Sequence, residues 1–147
     1  MSGVQLLDDL LAITHALQAD QERELTKLGL TTSRTHLLWI LHHNGPLTQA
    51  RLAEALDVTP RNVTALVDAL ESTGFARRSP HPTDRRALVV SLTEHGTTVM
   101  TTMATAHVHL AGSLVEGLDH STVNATERGL AHLRARLEKL VTEARPR

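Results

Sequence analysis

The chain has 147 residues, 41% of them hydrophobic, 21% charged and 1% aromatic, with a formal net charge of −1 and no cysteine. That length suits one globular domain with a real core, and the absence of cysteine excludes disulfides, thiolate metal ligands and cysteine redox sensing. No apolar stretch approaches the roughly 20 residues that cross a bilayer, and no basic, signal-type leader opens the chain, so the expectation is a cytoplasmic protein with no membrane partner.

From the N-terminus, Leu7, Leu10, Leu11, Leu17 and Leu25 recur at helical spacing, with Asp8, Asp9, Asp20, Glu22 and Glu24 mostly between them, which predicts a long amphipathic helix to about residue 27. Its acidity suits it poorly to DNA, and a lone helix must pack on something, so it reads as a dimerisation arm. Gly29 stops it. A second helix over 33–43 carries Leu37, Leu38, Ile40, Leu41 and the single tryptophan, Trp39. Asn44, Gly45 and Pro46 form a turn, after which Thr48 caps a short helix to Leu56 with Leu47 and Leu52 as a hydrophobic staple. Asp57 and Val58 then lead directly into another helix, giving the helix-turn-helix plan.

That next helix has the clearest start signal in the chain: Thr59 as N-cap, Pro60 at the first helical position, and Val58 with Val63 as a staple. Val63, Leu66, Val67 and Leu70 form an inner stripe, leaving Arg61, Thr64, Ala65 and Asp68 outward. Gly74 ends it. Segments 76–79 and 87–92 read as two strands around the turn-forming 80–84, a two-stranded wing. Residues 59–92 hold Arg61, Arg77, Arg78, Arg85 and Arg86 against Asp68, Glu71 and Asp84, a local charge of +2 that leaves −3 for the rest. The positive field is therefore local, as attraction to phosphate requires.

Beyond the wing, Thr93 is a predicted cap for a long helix to about residue 118, with Val99, Met103, Ala106 or His107, Leu110 and Leu114 along one side. Ser121 is the predicted cap of a last helix whose Leu130, Leu133, Leu137 and Leu140 repeat at intervals of three and four. These two helices and the first are candidates for a subunit interface; an equally simple reading packs the last leucines within the subunit.

The succession of a reading-type helix, Gly74-Phe75, Arg77-Arg78, Asp84-Arg85-Arg86, Leu92-Thr93 and Gly96 resembles the MarR family of winged-helix transcriptional regulators. The resemblance implies a mainly α fold with a small β-wing over residues 1–147, with a winged helix-turn-helix lobe at about 31–93 and dimerisation helices at about 1–30 and 94–147. It implies a homodimer that places one reading helix per subunit in successive major grooves of a palindromic operator and acts as a ligand-responsive repressor. The candidate DNA contacts are Thr59, Arg61, Asn62, Thr64 and Ala65 on the helix and Arg77, Arg78, Asp84, Arg85 and Arg86 on the wing. Asp84 is expected to hold the Arg85 guanidinium toward the minor groove.

Similar regulators take small, often aromatic or phenolic acids between the lobe and the dimer helices, and His15, Arg34, His36, Trp39 and His43 are the candidate effector residues. The family often has a glutamine and an aromatic where this chain has Arg34 and Thr35. Ten histidines invite a metal-responsive alternative. Their spacing argues against it: His42 and His43 are adjacent, His107 and His109 are two apart, and His36 and His43 share a face but lie about 10 Å apart along the axis. No metal or other cofactor is expected. There is no phosphate-binding, dinucleotide, nucleophile-elbow or zinc-protease motif, so no enzyme is predicted. The competing class is a winged helix used only for protein contact, which would have no need of the exposed arginines.

Overall fold

Helix signals and their stops decide the architecture in the computed structural model, which describes residues 3–144. The order is α1 (Gly3–Lys27), α2 (Thr32–Asn44), β1 (Leu47–Thr48), α3 (Gln49–Leu56), α4 (Pro60–Ser72), β2 (Ala76–Pro80), β3 (Leu88–Leu92), α5 (Glu94–Leu114) and α6 (His120–Ala144). Each start in the lobe is set by a threonine whose hydroxyl accepts a backbone N–H two residues into the helix: Thr31 from Arg34, Thr48 from Arg51 and Thr59 from Asn62. Contacts divide the chain into two compact units, one through Met103 and one from Ala104 onward. Among the described residues, no helix is long and apolar enough to cross a membrane.

In the first unit, Leu37, Leu38, Leu52, Val63, Val67, Leu70, Val90 and Met100 are fully buried. Each such side chain contributes about 1.5–3 kcal/mol relative to exposure. They come from α2, α3, α4, β3 and the start of α5, so one core holds the helix-turn-helix and the wing base together. Asp57, in left-handed conformation at φ 52°, makes the tight turn between α3 and α4. The sheet has three strands in the order β1-β3-β2, all antiparallel. The expected wing had two. Leu47 and Thr48 pair with Val90 and Val89, and two residues are too few to display the alternation by which a strand is recognised.

The junction of α4, β2 and α5 is drawn tight around Thr93. Its N–H donates to the Phe75 carbonyl, its hydroxyl donates to the Gly74 carbonyl, and the same hydroxyl oxygen accepts from the Gly96 N–H. Gly74, at φ 83°, turns the chain out of α4. Gly96 presses directly on the Phe75 carbonyl oxygen, leaving no room for a β-carbon.

α1 buries Leu25, while Leu7, Leu11 and Leu17 stay exposed. In the second unit, the end of α5 and α6 leave Leu110, Leu114, Leu130, Leu137, Leu140 and Val141 exposed on the single chain. Two expected boundaries shift here. α5 ends at Leu114 rather than near 118, because Gly117 at φ 83° takes the chain through a turn. α6 is capped by Asp119 instead of Ser121: Oδ1 of Asp119 accepts from Thr122 N at 2.7 Å and from the Ser121 hydroxyl at 3.1 Å. Hydrogen bonds from Thr122 and then Ser121 hold this carboxyl below the usual carboxylate range.

Candidate nucleic-acid interface

α4 presents its inner stripe to the core and its outer face to solvent, because Val63, Val67 and Leu70 are buried at helical spacing while Arg61, Asn62, Thr64, Ala65 and Asp68 are exposed. The exposed residues differ in how free they are. Thr59 is occupied as the N-cap acceptor for Asn62 N at 3.2 Å. The Thr64 hydroxyl donates to the Pro60 carbonyl at 3.0 Å and lies 3.3 Å from Nε2 of Gln49, which donates to it. Arg61, Asn62 and Ala65 therefore carry the unencumbered chemistry of this face.

The wing divides its arginines by strand alternation. Arg77 points outward, opposite Ser91, and its Nε lies 3.4 Å from the Ser91 hydroxyl oxygen. Arg78, the next residue, turns inward with a side chain only 17% exposed. Its Nε donates to Gln49 Oε1 at 2.6 Å, and Nη1 donates to Glu71 Oε1 at 3.1 Å. Nη2 meets Asp68 Oδ1 at 2.7 Å and the Thr64 carbonyl at 3.2 Å. Its backbone N–H donates to the other oxygen of Glu71 at 2.9 Å. The guanidinium expected to face DNA is thus bound inside the lobe.

At the wing tip, Asp84 also does something other than expected. Its Oδ1 accepts from the backbone N–H of Arg86 at 3.0 Å, and among the described residues no ion pair joins it to Arg85. The carboxylate is used by the turn, in the pattern by which an aspartate accepts the backbone N–H two residues on. His81 closes the same turn from the other side, its Nδ1 accepting from Thr83 N at 3.2 Å and Asp84 N at 3.0 Å. Arg85 and Arg86 are exposed on this turn.

The expected effector residues do not form one group. Arg34 and His36 line an open cleft of ≈ 510 Å³ with Leu56 and Val58 from the end of α3 and Asn62, Ala65 and Leu66 from α4. Trp39 and His43 lie toward the other end of α2, with ring centroids 5.4 Å apart, and His42 completes that cluster at 5.7 Å from Trp39. His15 is exposed on α1. Arg34 and Trp39 are both on α2, and five residues of helix separate them by about 7.5 Å of rise. Among the described residues, no group of three His, Asp or Glu is placed to hold a metal ion.

Sequence reasoning missed Gln49, Asp68 and Glu71 as the seat of Arg78. The signal was present in period-two alternation, which puts Arg77 and Arg78 on opposite faces of β2, and in the spacing of Asp68 and Glu71, which share one face of α4.

A profile of the MarR family matches residues 30–88, which covers the lobe from before α2 to the start of β3. An uncharacterised helix-turn-helix transcriptional regulator of Bacillus subtilis, YfiV, is 33% identical over 121 residues, covering 82% of this chain and 75% of that protein. The chain belongs to the MarR family. This MarR-family protein is a DNA-binding transcriptional regulator, and it is also 32% identical to the transcriptional repressor MdtR of B. subtilis over 65% of this chain and 61% of MdtR. Among solved structures, Streptococcus pneumoniae FabT in complex with DNA matches with a TM-score of 0.84 at 21% identity, covering 95% of this chain and 99% of FabT. RV1404 from Mycobacterium tuberculosis matches at 0.77 and 27% identity, covering 92% and 94%.

Proposed function

We propose that this MarR-family regulator is a non-enzymatic, cytoplasmic, ligand-responsive repressor that binds a palindromic operator as a homodimer. The observation that carries the reading is the outer face of α4, where Arg61, Asn62 and Ala65 stand exposed at the helix N-terminus beside a wing that projects Arg85 and Arg86. Arg61 and Asn62 suit base edges or phosphates, Ala65 suits a thymine methyl, and Thr64 serves through its shape, since its hydroxyl is already engaged. Arg77, Arg85 and Arg86 supply phosphate and minor-groove contacts. FabT and AbfR, of the same fold, have each been solved with DNA, and MdtR and NicR are named as repressors, which supports the same role here.

The exposed apolar residues of α1, α5 and α6 support the homodimer, because a soluble chain rarely leaves such long apolar stripes uncovered. The cleft at Arg34 and His36 supports a small aromatic or phenolic acid as effector: it has two cationic or hydrogen-bonding side chains, apolar Leu56, Val58 and Leu66, and one wall formed by the reading helix itself. Sedimentation of the protein with a duplex selected from a randomised pool tests the main reading. The expected particle is two chains on one palindrome; one chain per duplex, or no selected sequence at all, would overturn it. In the same assay salicylate should release DNA from the unmodified protein and fail to do so from Arg34→Ala.

A further inference from the structure

We infer that Arg78, with Gln49 as its relay, is a positioning residue for sequence discrimination: it sets the reading helix against the wing and contacts no DNA. The inference rests on the reading of α4 and the wing as DNA-contacting elements. An arginine has five N–H donors in a rigid fork, and Arg78 has acceptors on Nε, Nη1 and Nη2 drawn from three different places in the lobe. Glu71 grips the residue twice, at its guanidinium and at its backbone N–H, which pins β2 to the last turns of α4. Asp68 and the Thr64 carbonyl hold the guanidinium one and two turns further up the same helix. Gln49, the first residue of α3, accepts from Arg78 and donates to the Thr64 hydroxyl, so the helix before the turn is tied in as well.

Two consequences follow for the DNA-facing surface. Thr64 is fixed through its backbone by Arg78 and through its side chain by Gln49, which settles where its methyl points on the outer face of α4. Asp68, exposed on that same face, would repel phosphate, and the Arg78 guanidinium at 2.7 Å neutralises it without projecting into the groove. A lysine in place of Arg78 keeps the charge and loses the fork, since one ammonium cannot span the same separated acceptors.

The test uses Arg78→Lys, Gln49→Met and Arg78→Gln in the full chain, with a duplex selected by the unmodified protein and an unrelated duplex of equal length, each titrated at several salt concentrations. Arg78→Lys and Gln49→Met should each lower the ratio of selected to unrelated affinity by about tenfold, with the salt slope unchanged because no phosphate contact has been removed. A merely structural role would lower the melting temperature and leave that ratio intact, which overturns the inference. A salt slope reduced by about one unit per subunit in Arg78→Gln, and still reduced when Asp68→Asn removes the carboxylate that Arg78 had neutralised, would make Arg78 a phosphate contact and overturn it in the other direction. Gln49→Met changes no charge and decides the matter if Arg78→Lys fails to fold. Were the unmodified protein to select no sequence, the DNA reading itself would fall and the inference with it; selection that survives in all three variants sinks the inference alone.

Discussion

Arg85→Ala isolates the electrostatic share of binding, because the residue is exposed and the hydrogen bond of Asp84 goes to the Arg86 N–H, not to the Arg85 side chain. Asp84, once expected to hold this guanidinium, instead accepts the Arg86 N–H, so the turn keeps its hydrogen bonds in the variant. Melting should shift by no more than about 0.5 kcal/mol, the usual range for an exposed substitution. Each phosphate neutralised contributes about 0.9 to the slope of log affinity against log salt. Two wings on a palindrome would lose about 1.8 units, so between 50 and 200 mM salt the unmodified protein should lose about twelvefold more affinity than the variant. Fluorescence anisotropy on matched duplexes with A·T-rich and G·C-rich flanks reads both quantities. The preference for A·T flanks should weaken, as expected if Arg85 enters a narrow minor groove. An unchanged slope would refute the reasoning, and full recovery by Arg85→Lys with a lowered melting temperature in Arg85→Ala would make Arg85 a hairpin staple instead.

Three further outcomes follow from geometry. Gly96→Ala places a β-carbon against the Phe75 carbonyl oxygen, a backbone atom with little freedom to yield, and should cost about 1–3 kcal/mol in thermal unfolding; an unaltered melting temperature would contradict so close an approach. His81→Ala leaves Thr83 N and Asp84 N without their acceptor, so hydrogen exchange at both should quicken, while His81→Asn, which can accept in the same turn, should protect them; equal exchange in the two variants would exclude the imidazole as the acceptor. Because its carboxyl is held below the ordinary value in the folded chain, Asp119 stabilises α6 at neutral pH and that contribution fades as acid protonates it; helicity followed by circular dichroism should decline less on acidification in Asp119→Asn, and identical curves would deny Asp119 the capping role.

The winged helix-turn-helix was legible because its determinants are local. Threonine caps, Pro60, the Val63-Val67-Leu70 stripe and Gly74 act within one or two turns of chain, and α3 and α4 begin and end where those signals put them. What escaped depends on contacts between distant residues. β1 exists because β3 offers it an edge, and nothing within two residues of sequence announces that. Arg78 is the same residue type as the adjacent Arg77, yet one residue of strand register sends it to acceptors that lie 7 to 29 positions away. Charge counting placed all five arginines of residues 59–92 on one surface, and the fold withdraws Arg78 from it. The residues expected to bind an effector are parted for a related reason: helical rise along α2 separates Arg34 and His36 from Trp39 and His43, and His15 belongs to another helix.

Thr93 joins three elements with one side chain and one N–H, and this has a mechanical meaning. Between the end of β3 and the start of α5 there is a single residue, and that residue is bonded to the carbonyls of Gly74 and Phe75 at the exit of α4. The first turn of α5 is consequently a crank without slack. A rotation of that turn must either break the Thr93 bonds or carry the end of the reading helix and the root of the wing along with it, as one gear carries the next.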